Sequence, residues 1–102
     1  FTKSLRDQGF VTYSDPELHT AFDLTYDYDG FEYLRLTMQG LRPLRDYLNH
    51  LYIHETLYPA GAVKMRFIEN HDNPRAAGVV GSRRSLLNWT VFYSLRPGAT
   101  LV

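Results

Sequence analysis

The chain has 102 residues, about two-thirds of the ~150 usual for a domain, so one compact unit is the most it can form. Its 11 Lys and Arg cancel its 11 Asp and Glu, which excludes the basic surplus that a nucleic-acid or anionic-membrane binder needs. Cysteine is absent, and with it go disulfides, thiolate zinc sites, CxxC redox chemistry and a cysteine nucleophile.

In chain order, Phe1–Gln8 reads as a helix, and Tyr13-Ser-Asp-Pro-Glu-Leu18 as a loop in which Ser, Asp and Pro cluster. Ala21–Tyr26 alternates Phe22, Leu24 and Tyr26 against Asp23 and Thr25, the period of a strand. Asp27-Tyr-Asp-Gly30 ends it with turn residues. From Phe31 the period becomes helical: Phe31, Leu34, Met38, Leu41, Leu44, Leu48, Leu51 and Tyr52 recur at three- and four-residue steps. Gly40 and Pro43 divide this stretch, which reaches about Tyr58, into two helices.

Pro59-Ala-Gly61 makes a turn. Val63, Met65 and Phe67 then alternate with Lys64 and Arg66 up to Ile68, a second strand whose C-terminal end runs into the polar loop Asn70–Arg75. Gly78-Val-Val-Gly81 reads as an apolar linker. Ser82 is an N-cap for a helix carrying Leu86, Leu87, Val91, Phe92 and Leu95, which Arg96-Pro-Gly98 stops. Ala99–Val102 begins a third strand. No apolar run approaches the ~20 residues of a membrane helix, and the compartment is not read from the sequence.

Strand, helix, strand, helix, strand is the order of βαβ units, so the expected class is α/β with a parallel sheet. Chemistry in such sheets collects at the C-terminal ends of the strands, where Asn70–Arg75 falls. The start inside a helix and the stop inside a strand read as cuts, and the expectation is a fragment of a longer protein. Residues 1–20 would be a helix tail and loop, and residues 21–102 the strand-helix-strand-helix-strand unit.

Phe67-Ile-Glu-Asn-His-Asp-Asn-Pro-Arg75 closely resembles the strand-seven motif F-x-x-N-H-D of the α-amylase superfamily of glycoside hydrolases, often followed by a Pro-Arg pair. Phe22-Asp-Leu-Thr-Tyr-Asp-Tyr28 looks like that family's sixth strand and its exit. Leu95-Arg-Pro-Gly-Ala-Thr-Leu-Val102 looks like the approach to its eighth. The resemblance runs from about His19 to the end. It implies a partial (β/α)8 TIM barrel, roughly the last three βα units, because an average barrel of ~250 residues allots about 31 to each.

The resemblance also implies chemistry: retaining cleavage or transfer at α-glucosidic bonds of an α-glucan or oligosaccharide, through an oxocarbenium-like transition state. Asp72 matches the family's third carboxylate, which stabilises that transition state, and His71 matches the histidine that hydrogen-bonds the same sugar. Read without the resemblance, Asn70, His71 and Asp72 form an Asx-type turn after a strand. Arg75 is read chiefly as holding the loop by pairing with a carboxylate. The nucleophilic Asp and the acid/base Glu of the family have no counterpart here, so the segment alone is expected to be inactive. No cofactor is implied for it; calcium, common in the family, would be held in the intact parent by residues largely outside this segment. The alternative function is a non-catalytic carbohydrate-binding or interaction module. Neither nucleic acid nor membrane is expected as a partner, and the open sheet edges of an isolated fragment favour self-association.

Three weaker signals are set aside. His50 and His54 share a helix face at metal-ligand spacing, but zinc needs at least a third ligand and H-E-x-x-H is not matched. Asp27-Tyr-Asp-Gly30 fails the EF-hand frame, which would put Leu36 at the bidentate Glu position. Asn88-Trp-Thr90 is a glycosylation sequon within an expected helix.

Overall fold

The computed structural model describes residues 2–101; the readings that fall on Phe1 and Val102 lie outside them. The order of elements is α1 (Thr2–Asp7), α2 (Asp15–Leu18), β1 (Leu24–Tyr26), α3 (Tyr28–Met38), α4 (Leu44–Leu57), β2 (Val63–Phe67), α5 (Ala76–Val80), α6 (Arg83–Ser94) and β3 (Ala99–Leu101). The class is α/β: the three strands form one sheet in the order β1-β2-β3, and both pairings are parallel.

Local chemistry explains most boundaries. Asp27 caps α3 by accepting a hydrogen bond from the Gly30 amide at 3.1 Å, so this helix starts three residues before the expected Phe31. Gly40, at φ 72°, ends it, and Pro43 stands at the N-cap of α4. Ser82 caps α6, its hydroxyl accepting from the Ser85 amide at 3.1 Å. The expected break and cap are therefore both present.

Two expected loops are helical. Tyr13–Leu18 contains α2, because the Glu17 carboxylate accepts from both the Ser14 amide (2.7 Å) and its hydroxyl (2.6 Å), a capping arrangement that closes one turn. The Gly78–Gly81 linker is the end of α5, which Gly81 stops at φ 73° while its amide donates to the Ala77 carbonyl.

The register sorts the strand side chains onto two sheet faces. In the observed register Leu24 pairs with Val63, Thr25 with Lys64, and Met65 with Ala99. Leu24, Tyr26, Val63, Met65 and Leu101 therefore share one face, and Thr25, Lys64, Arg66 and Thr100 the other. At β2 the polar face is covered at Lys64, only 6% exposed, while on the apolar face Leu24, Tyr26, Val63 and Leu101 are 37–51% exposed and Phe67 alone among these is fully buried. Lys64 is shielded by the Tyr58 ring, 4.4 Å from its ammonium, and Arg66 sits 3.7 Å from Asp27.

The hydrophobic core lies among the helices. Leu34 and Met38 of α3, Tyr47 of α4 and Tyr93 of α6 are buried together, with Leu51, Trp89 and Phe92 packed against them. Leu87, Val91 and Leu95, among the apolar residues read on the last helix, are exposed. The Tyr47 hydroxyl accepts a hydrogen bond from Arg96 at 2.8 Å, tying α4 to the segment that leads into β3.

Candidate functional site

β2 ends at Phe67, which is fully buried against Phe31, at 4.7 Å between ring centroids, and Tyr28, at 5.2 Å. That aromatic stack fixes the point where the chain leaves the sheet, at the C-terminal edge of the middle strand.

The next residues form a loop held from both sides. At its centre the Asn70 side-chain carbonyl accepts from the Asp72 amide (3.1 Å) and the Asn73 side-chain amide (2.5 Å), while the Asn70 main-chain carbonyl accepts from the Asn73 amide at 3.2 Å. This is the Asx turn that the residue types alone suggest. Asn70 also donates to the Tyr28 hydroxyl, at 3.4 Å, which ties the loop to the exit from β1.

At its base Glu69 clamps the far end of the loop. One carboxylate oxygen accepts from Arg75 at 2.5 Å, and the other from the Ala76 amide at 2.7 Å. These bonds hold the Glu69 carboxyl below its ordinary pKa, the Ala76 amide contributing most and Arg75 next. The same carboxylate satisfies a free donor at the start of α5, which is why that short helix forms.

Between these anchors His71 and Asp72 are exposed, their side chains 90% and 61% accessible, with His71 Nε2 3.3 Å from Asp72 Oδ1. Two hydrogen-bonding side chains thus stand in solvent on a backbone that is fixed. A carboxylate so placed can accept hydrogen bonds from hydroxyls or face a developing positive charge. The Arg75 partner expected from the sequence is Glu69. Glu69 and Tyr28 were not assigned roles on sequence grounds; the six-residue separation of Glu69 and Arg75 across a turn was the signal for the first.

The His50 and His54 rings lie 3.9 Å apart at a tilt of 37°, and His50 stacks on Tyr33 at 4.1 Å. Among the described residues no group of three or more His, Cys, Asp or Glu gathers to hold a metal ion.

Solved structures similar to this chain include an α-amylase from Lactobacillus plantarum, 37% identical, with a TM-score of 0.87 over 100% of this chain and 24% of its own. A noncanonic maltogenic α-amylase, AmyB, from Thermotoga neapolitana is 40% identical, with a TM-score of 0.80 over 98% of this chain and 25% of its own. The chain thus spans about a quarter of the length of these structures. No protein-family profile matches it, and no curated protein does.

Proposed function

We propose, from the relationship of this chain to the α-amylase superfamily, that it is roughly the last three βα units of a (β/α)8 barrel and one wall of a retaining glycosidase site. The carrying observation is the place of His71 and Asp72: exposed, on an anchored loop, at the C-terminal end of the middle strand of a parallel sheet. Barrel enzymes assemble their reacting groups at that end.

In this reading Asp72 is a fixed anion beside the sugar at the point of cleavage. Its charge is worth more once positive charge develops on the ring, so it stabilises the transition state more than the bound substrate. His71 donates or accepts a hydrogen bond at the same sugar's hydroxyls and takes no proton from the reaction. Glu69 and Arg75 act through the loop and touch no substrate. The nucleophile and the acid/base carboxyl, ~5–5.5 Å apart in a retaining enzyme, come from the rest of the parent. The substrate is an α-glucan or oligosaccharide, and the segment alone is inactive.

The test is Asp72→Asn in the intact parent. Turnover is expected to fall about 10²-fold or more with the circular dichroism spectrum unchanged. Near wild-type turnover removes Asp72 from the mechanism.

A further inference from the structure

One tie to the loop of His71 and Asp72 comes from a different strand. Tyr28, at the exit of β1 and 42 residues before Asn70, meets the Asn70 side chain with its hydroxyl.

The place of that hydroxyl is fixed from behind. The preceding residue, Asp27, is only 7% exposed. Its amide donates to the Met65 carbonyl of β2 at 2.9 Å, and its carbonyl accepts from the Phe31 amide at 3.0 Å. Its carboxylate caps α3 through the Gly30 amide. The Tyr28 backbone is therefore set by the sheet on one side and by the helix start on the other. Its ring stands at 68° to the buried Phe67 ring, 5.2 Å away, and lies 5.8 Å from the Tyr26 ring. These contacts restrict its side-chain torsions. Tyr28 is 43% exposed, yet its oxygen is held beside the end of β2.

Asn70 has a use for that oxygen. A side-chain amide carries an acceptor at one end and donors at the other. The Asp72 backbone N–H can only donate, so Oδ1 must be the end that faces it, at 3.1 Å; Oδ1 also accepts from the Asn73 side chain. Nδ2 then points the other way, where the Tyr28 hydroxyl accepts from it at 3.4 Å. The bond to Tyr28 thus opposes rotation of the amide out of the turn that holds the Asp72 backbone.

We propose that Tyr28 is a positioning residue for Asp72, acting through Asn70 and touching no reacting atom. The proposal rests on the reading of Asp72 as the carboxylate that stabilises the transition state. Such a charge must be held in place, because a group displaced by ~1 Å can lose about 10²-fold in rate. Loosening one hydrogen bond of the turn is a smaller perturbation. It acts on the transition state, so it lowers kcat and leaves KM.

The test is Tyr28→Phe, which removes the oxygen and keeps the ring that packs on Phe67. In the intact parent kcat is expected to fall about fivefold, the weight of one ordinary hydrogen bond, with KM unchanged. Asn70→Ala is expected to lower kcat as well. Adding Tyr28→Phe to it should cost nothing more, because both changes break one relay. A hydroxyl that merely supported the fold would act equally in both backgrounds. In the 102-residue chain, exchange of the Asp72 amide, followed by NMR, is expected to quicken by a similar factor in Tyr28→Phe. Should Asn70→Ala fail to fold, kcat and exchange in Tyr28→Phe still decide. Unchanged kcat in Tyr28→Phe, additive losses in the double variant, or unchanged exchange at Asp72 overturns the proposal. Asp72→Asn separates the two levels. If it turns over normally, the glycosidase reading of Asp72 fails and this proposal falls with it. If it is inactive while Tyr28→Phe is unimpaired, only the role of Tyr28 falls.

Discussion

Glu69 and Arg75 meet at 2.5 Å across the loop that carries His71 and Asp72, while the second oxygen of Glu69 accepts from the Ala76 amide. One carboxylate thus closes the loop and starts the helix behind it. Its lowered pKa means that the folded chain favours the ionised form. The stabilisation is present above the unfolded value and is lost as the pH falls through the lower folded one. Glu69→Gln is expected to speed hydrogen exchange at the Ala76 amide and to remove the acid dependence of that exchange. Unchanged protection would show that the clamp does not hold the loop.

Gly98 and Gly40 both have positive φ, 115° and 72°, but their surroundings differ. A Cβ at Gly98 would press on Arg66 and stand 2.8 Å from the Lys64 carbonyl, whereas at Gly40 it would meet nothing within 4 Å. Gly40→Ala is expected to cost about 1 kcal/mol from backbone conformation alone. Gly98→Ala should cost about 3 kcal/mol or more, since strand backbone and a buried guanidinium must also shift. Urea melts of both variants measure the gap; equal losses would contradict the packing at β3.

His50 is half-buried between Tyr33 and His54. Burial first, and then the His54 charge, lower its pKa from 6.5 to about 4; Arg96 and Lys64 act in the same direction, and Asp27 opposes them. Between those two values the unfolded chain binds a proton that the folded chain refuses. Stability therefore falls as the pH drops from about 6.5 to about 4. Thermal melts across that range are expected to show the decline, and His50→Gln to flatten it. An NMR titration placing the His50 pKa near its ordinary value would refute this.

Leu24, Tyr26, Val63 and Leu101 form an apolar sheet face, each 37–51% exposed, and β1 and β3 are the outer strands of the sheet. Exposed apolar faces and unpaired strand edges favour association. Sedimentation of the chain is expected to show concentration-dependent oligomers, and Tyr26→Lys to reduce them. A monomer with a sharp two-state melt at all concentrations would count against this.

Much of this architecture was legible along the chain because its signals are local. Alternation at Leu24–Tyr26 and Val63–Phe67, the break at Gly40 and Pro43, and the Ser82 cap each depend on residues a few positions apart. Their order predicted the parallel sheet, and the motif from Phe67 to Arg75 pointed to the loop where His71 and Asp72 stand. What tertiary structure alone decided involves partners distant in sequence. Alternation separates two sheet faces but does not say which one the helices cover, and here the Tyr58 ring and Asp27 shield Lys64 and Arg66 on the polar side. The linker at Gly78 became helical because Glu69 reaches the Ala76 amide across the loop. Tyr47 is buried with Leu34, Met38 and Tyr93, and its hydroxyl is satisfied by Arg96, 49 residues away. A period in the sequence reports how a segment's side chains alternate; which side is buried depends on the charges, rings and hydrogen-bonding groups that the fold brings against it.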